Sequence, residues 1–298
     1  MKHNYLKKAD LSISEISFGC MSLTNPGTES STIIAKAIDS GITLFDTADL
    51  YDKGANEEML GAALKGKRKD VIISTKVGNQ WREDGSGWDW RPEKEYILKA
   101  VDASLKRLGT DYIDLYLLHG GTIEDPIDET IEAFERLIEQ GKIKHYGISS
   151  IRPNVIREYV KRSNIVAVMS QYSVLDRRPE EEILPLLLKN NIGLLARGTV
   201  AGGLLADKPV KDYLNYGANK VKAVLEKLYN IFPSGKTQYE TALRYVIDNP
   251  AVTTAVMGIR TMKQLDEALA ASGTKAFTTE ELKILEGLWT PNVYWEHK

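Results

Sequence analysis

The sequence predicts an α/β protein, a closed (β/α)8 TIM barrel with a small N-terminal hairpin across its floor and long loops after the third and seventh strands. Short apolar runs alternate with longer amphipathic runs through the chain, eight times, with no composition break or linker between them. That is the pattern of repeated parallel βαβ units, and it reads as a single unit spanning 1–298. An open sheet that binds a dinucleotide usually carries G-x-G-x-x-G after its first strand. Here that place reads Phe18-Gly19-Cys20-Met21-Ser22-Leu23, which favours the barrel over the doubly wound sheet. Ionisable side chains also end three successive strands, where a barrel gathers its chemistry.

The elements follow in order. Tyr5–Lys7 and Leu11–Ile13, around Lys8-Ala9-Asp10, form the floor hairpin. Glu15–Cys20 is the first strand, with a helix near Ser30–Asp39 behind it. Ile42–Phe45 is a short β-branched and apolar second strand, followed by a helix near Asn56–Leu64. The third, Val71–Val77, leads through a tryptophan-rich loop to a helix from Glu93 to Leu108, where Ile97, Val101, Leu105 and Leu108 recur at helical spacing. Tyr112–His119 is the fourth strand, and the helix from Ile127 to Gln140 stops at Gly141. Tyr146–Ser149 precedes a helix whose first turn holds Pro153, and Val166–Gln171 precedes one around Pro179–Lys189. Ile192–Ala196 and Thr253–Met257 complete the barrel. Between them Gly202 to about Ser234 is a long insertion with its own helix near Lys220–Tyr229, a candidate lid.

Composition bounds the function. The chain has 298 residues, 43% hydrophobic and 27% charged, and a formal net charge of −2 with both signs interspersed. Neither a nucleic-acid footprint nor a polybasic membrane patch is expected. The single cysteine, Cys20, excludes an internal disulfide and suits a reducing compartment. No apolar run reaches membrane-span length and the first residues lack a signal-peptide core, so the expected location is cytoplasmic.

The chemistry gathers at strand ends. Asp46 closes the second strand, Tyr51 stands five residues later in a loop, Lys76 ends the third strand and His119 the fourth. Each has an ordinary reading alone: a turn-starting aspartate, a loop aromatic, a snorkelling lysine, a half-buried histidine. Together they face one bowl. A buried Lys76 needs Asp46 as counter-ion, and its cation favours the phenolate of Tyr51, which makes a tyrosine a usable proton donor near neutral pH.

With these residues in place the sequence resembles the aldo-keto reductase family over essentially its whole length. The matching motifs are Asp-Thr-Ala-Asp-Leu-Tyr at 46–51, Ser-Thr-Lys-Val at 74–77, and the strand ending in His119. The resemblance implies NADPH as cofactor and reduction of a small-molecule carbonyl to an alcohol. In it Tyr51 is the general acid, Lys76 its tuning cation, Asp46 the partner of Lys76, and His119 the residue that orients the carbonyl. It further implies a cofactor site built from Gly19, Cys20, Met21, Asp46, Ser149, Ser150 and Gln171. The glycine-rich segment adds Arg197, Gly198, Thr199, Ala201, Gly203 and Leu205, and the last strand and following helix add Gly258, Arg260, Gln264 and Glu267. Ser150 stands where the family has asparagine, Arg197 where it has a stacking aromatic, and Ala268 where asparagine is common.

All five tryptophans lie in two segments, the loop with Trp81, Trp88 and Trp90 and the tail with Trp289 and Trp295. They either pin loops to the barrel or form an aromatic rim for apolar or aromatic aldehydes. The expected state is a monomer or weak homo-oligomer. Two rivals remain: a Schiff-base aldolase using Lys76, and an NADPH-binding regulatory subunit with slow turnover.

Overall fold

The computed structural model describes residues 1–23, 28–206, 208–231 and 235–298. Strands β1 (His3–Leu6) and β2 (Leu11–Ser14) pair antiparallel as the expected hairpin. The barrel strands are β3 (Ile16–Gly19), β4 (Leu44–Asp46), β5 (Ile72–Val77), then β8 (Ile113–Leu118), β9 (Ile143–Ser149), β10 (Ala167–Gln171), β11 (Gly193–Arg197) and β12 (Val252–Gly258). They close in the order β10-β11-β12-β3-β4-β5-β8-β9, and all neighbouring pairs are parallel. The two strands between, β6 (Asn79–Trp81) and β7 (Trp88–Trp90), make a separate antiparallel ribbon out of what the sequence reads as loop.

Alternation along each strand sets the two packing layers. In β8, Leu115 and Leu117 point into the barrel, where they meet Leu44, Met169, Leu195 and Val256. Tyr116 and Leu118 face outward into the larger helix-covered cluster, with Tyr116 against Phe134. Leu6 and Ile13 of the hairpin join the inner cluster, and Asn4 donates to the Thr253 carbonyl at 2.9 Å, so the hairpin plugs the floor.

The surrounding helices are α1 (Thr28–Asp39), α2 (Ala55–Ala63), α3 (Lys94–Leu108), α4 (Ile127–Glu139), α5 (Pro153–Arg162) and α6 (Ile183–Lys189). They continue with α7 (Ala218–Ile231), α8 (Gln238–Ile247), α9 (Met262–Ser272) and α10 (Thr279–Gly287). A single helix over Pro179–Lys189 is not formed: a 3-10 turn at Arg178–Glu180 precedes α6, and Glu182 between them has φ −144°. Glu180 is held there by Tyr172 at 2.9 Å and by Arg177 at 2.9 Å, which fixes the turn apart from the helix. Residues 207 and 232–234 of the seventh-strand insertion lie outside the described residues. Two tyrosines of that insertion are tied to the barrel and tail: Gln171 Nε2 donates to Tyr213 Oη at 2.9 Å, and Tyr216 Oη to the Thr290 carbonyl at 3.2 Å.

Candidate active site

At the carboxyl ends of the strands lies a cavity of about 870 Å³ whose lining includes Asp46, Tyr51, Lys76 and His119. Parallel register brings them together. Asp46 pairs with Ser74 in the β4–β5 ladder, so Lys76, two residues further on β5, points to the same inner side one step higher. Lys76 Nζ donates to Asp46 Oδ2 at 2.7 Å, to the Thr47 carbonyl at 2.6 Å and to Tyr51 Oη at 3.3 Å. Ser74 Oγ donates to the other Asp46 oxygen at 3.0 Å. The ammonium's three donors are thereby used, as a cation 1% exposed requires.

Burial is the largest single influence on Lys76 and works against its cation, but Asp46 and Tyr51 together outweigh it and hold the lysine pKa above its usual value. Burial likewise pushes the Asp46 carboxyl up, while Lys76 and Ser74 pull it back. The pair is a paired buried charge, with Tyr51 as its outlet to the cavity.

Tyr51 begins a tight 3-10 turn, Tyr51–Gly54, in which Asp52 and Lys53 have φ of 52° and 54°. Gly54 follows at φ 93°, and a Cβ there would lie 2.7 Å from the Arg107 side chain. Arg107 in turn donates to buried Glu57 at 2.7 Å, and Thr75 donates to Glu57 at 2.5 Å. The turn that aims Tyr51 is therefore braced from behind by α2, α3 and β5.

His119 extends the ladder one residue beyond β8, its N–H donating to the Val77 carbonyl at 2.7 Å. Its ring meets Tyr51 edge to face, centroids 5.8 Å apart. Its Nδ1 is buried and has no partner among the described residues. Burial, and then the cations Lys76 and Arg197, lower its pKa to about 3. His119 is consequently neutral across the physiological range. Its imidazole signals are expected to show no titration between about pH 5 and 8 in an NMR pH series, against an ordinary midpoint of about 6.5. A midpoint near 6.5 would remove the neutral assignment. Because the folded pKa lies below the unfolded one, His119 opposes folding increasingly as pH drops from about 6.5 toward 3.

The expected cofactor residues divide. Gly19, Met21, Asp46, Ser149, Ser150, Arg197, Gly198, Thr199 and Gly258 line the cavity. Gln171 stands beside it, accepting from Arg197 Nη1 at 3.3 Å. Cys20 is fully buried, and burial pushes its thiol far up. Ala201 and Leu205 turn their apolar side chains into the core, and Gly203 packs on Lys208, so these three are not on the lining. Gln264 and Glu267 line a different cavity of about 1190 Å³, between α9 and the start of α8. Gln264 spends its side-chain oxygen on the Arg260 and Thr261 N–H groups as part of a capping box. Arg260 is exposed and lines neither cavity, and Ala268 is buried in the core.

The aromatic rim is smaller than expected. Trp88 and Trp90 line the cavity. Trp81 instead donates to the Leu50 carbonyl at 3.0 Å and lies under Lys53. Trp289 is 9% exposed within the core, and Trp295 is 80% exposed and off the cavity. Three of the five tryptophans thus pin or decorate the barrel rather than face the site. Sequence reading missed Asn79, Thr122 and Arg152 on the lining. Arg152 was within reach, two residues past Ser150 in a loop already assigned to the site.

A family model described as the aldo/keto reductase family matches residues 15–290. The chain is 47% identical to the Bacillus subtilis protein described as uncharacterized oxidoreductase YqkF, over 100% of both chains. It superposes on the holo form of aldo-keto reductase AKR11C1 from Bacillus halodurans with a TM-score of 0.94 and 48% identity, covering 100% of this chain and 99% of that one. An aldo/keto reductase from Klebsiella pneumoniae, solved with NADP and acetate, matches at TM-score 0.78 and 25% identity over 98% and 97% of the two chains. With the barrel, the bowl and these matches in agreement, the chain belongs to the aldo/keto reductase family.

Proposed function

We propose that the protein is an NADPH-dependent oxidoreductase that reduces aldehydes or ketones to alcohols. The observation that carries this reading is the contact chain from Asp46 through Lys76 Nζ to Tyr51 Oη at the cavity wall. The cavity suits a dinucleotide's reacting end: Gly19, Gly198 and Gly258 offer backbone without side-chain bulk, Thr199 Oγ1 is buried with no partner among the described residues, and Arg197 offers a cation. The bound cofactor would supply the hydride. Tyr51 donates a proton to the carbonyl oxygen as negative charge develops on it. Lys76 stabilises the tyrosinate left behind, and Asp46 keeps that lysine charged and in place. Neutral His119 orients the carbonyl through its ring N–H. Ser149 and Gln171 would hold the carboxamide side of the cofactor, and Arg260, Gln264 and Glu267 its adenosine end.

The state of Lys76 speaks against a Schiff-base aldolase, which needs a neutral amine free to attack. Here the nitrogen is a charged donor to three acceptors. The test is a panel of aldehydes and ketones followed at the NADPH absorbance, run in parallel with NADH. Turnover with NADPH on at least one carbonyl class is expected. Tight NADPH binding with no turnover across the panel would replace the enzyme by a binding subunit of the same fold.

A further inference from the structure

The charged residues lining the catalytic cavity are one acid, Asp46, and three cations, Lys76, Arg152 and Arg197, among the described residues. Asp46 and Lys76 neutralise each other. Arg197 stands on the β11 side with Gln171, in the glycine-rich segment assigned to the cofactor. Arg152 remains. It lies past β9, immediately before α5, and Ser150 Oγ accepts its backbone N–H at 3.2 Å, which shapes the loop that presents it. Its guanidinium donates once, through Nη1 to the Gly121 carbonyl at 2.8 Å, and it joins no ion pair among the described residues. The first turn of α5 carries no acid.

The acid that lies beside Gly121, Asp125, is already occupied. Asp125 accepts from Trp90 Nε1 at 3.0 Å, from the Thr122 N–H at 2.7 Å and from Thr122 Oγ1 at 2.8 Å. Those bonds also fix the indole of Trp90. Its ring lies on two glycines: an added Cβ would approach it to 2.7 Å at Gly78 and 3.1 Å at Gly120. Gly120 and Gly121 therefore join two different surfaces. One carries a fixed aromatic wall, and the other an arginine on the lining of the same cavity whose guanidinium makes one hydrogen bond among the described residues.

Resting on the reductase reading above, we propose that Arg152 is a substrate-specificity residue, forming with Trp90 a subsite for carbonyl compounds that carry a carboxylate on an aromatic or flat apolar body. The flat body packs along Trp90 while its carbonyl reaches Tyr51 and His119. The carboxylate takes the N–H groups of Arg152 that Gly121 does not use, a geometry guanidinium offers and ammonium does not.

The test compares 4-carboxybenzaldehyde with 4-nitrobenzaldehyde, which matches it in shape but carries no net charge. Both are measured as kcat/KM with NADPH in the wild type, Arg152→Met and Arg152→Lys. A charge-assisted contact of this kind is worth about ten- to a hundredfold. The carboxylate-to-nitro ratio is therefore expected to fall by about that factor in Arg152→Met, chiefly through KM, and to recover in part in Arg152→Lys. An unchanged ratio, with both substrates falling together, makes Arg152 only a brace for Gly121 and overturns the proposal. So does a matching loss of NADPH affinity by tryptophan-fluorescence titration, which assigns the residue to the cofactor. If the wild type reduces neither aldehyde nor any other carbonyl of the wider panel, the reductase reading fails with it. Reduction of 4-nitrobenzaldehyde with no dependence of the ratio on Arg152 removes the subsite alone.

Discussion

Tyr51→Phe is expected to lower carbonyl reduction by about 10²–10⁴-fold, the usual contribution of a positioned general acid, while NADPH binding stays close to wild type. The substitution deletes one oxygen and leaves the ring, so its edge contact with His119 and its place over Lys76 survive. The turn that holds residue 51 is set by the backbone at 52–54 and by Arg107, and neither involves the hydroxyl. The variant therefore keeps its fold, so lost turnover reports the missing hydroxyl, and circular dichroism with fluorescence titration of NADPH checks this. Lys76 loses its weakest partner, at 3.3 Å, and keeps Asp46 and the Thr47 carbonyl. Turnover within a few-fold of wild type would sink the assignment of Tyr51 as acid and turn attention to His119.

Much of this arrangement was legible in the sequence, and the reason is geometric. A barrel strand buried on both sides is a nearly continuous apolar run, so seven of the eight lie within a residue or two of their observed ends, while β9 starts at Ile143, three residues before the expected Tyr146, because Lys144 and His145 interrupt its apolar run. Once the strands are placed, their carboxyl ends mark the bowl where a barrel gathers its chemistry. An ionisable residue at such an end is a candidate for the bowl. Asp46, Lys76 and His119 were found by that logic, and Tyr51 by its nearness to Asp46.

The loops did not yield to it. Trp81 and Trp88 face each other across the β6–β7 ribbon, whose strands are three residues each, too short for periodicity to register. The turn between them, Asp84-Gly85-Ser86-Gly87, is a hairpin signal that was present and not used. In the tail nothing periodic says which way Trp289 or Trp295 points; long-range packing decides, and it buried one and exposed the other. Helices α8 and α10 were missed although both begin with capping boxes, Thr237 with Glu240 and Thr278 with Glu281, written in the sequence as T-x-x-E. Part of the cofactor set implied by the resemblance lies off the cavity lining. Ala201 and Leu205 lie in the expected segment, yet their apolar side chains are worth more inside the core than on a wet cavity wall.

Lys76→Met is expected to damage both activity and stability, and a double variant separates the two losses. Methionine fills most of the lysine volume but leaves the Asp46 carboxylate in a site 6% exposed with only Ser74 to satisfy it. Removing one partner of a buried ion pair costs about 3–5 kcal/mol, because the remaining charge must stay unpaired or take up a proton. Turnover falls as well, on the order of 10²-fold, since the tyrosinate formed when Tyr51 gives up its proton has lost its counter-cation. Asp46→Asn is expected to be milder in turnover: the cation stays, still held by the Thr47 carbonyl and Tyr51. Asp46→Asn combined with Lys76→Met buries no net charge, and asparagine still accepts from Ser74, so urea unfolding midpoints should return most of the way to wild type. Activity should not return with them. A double variant that regains turnover together with stability would mean that Lys76 serves the fold alone, and that Tyr51 works without the cation the barrel places beside it.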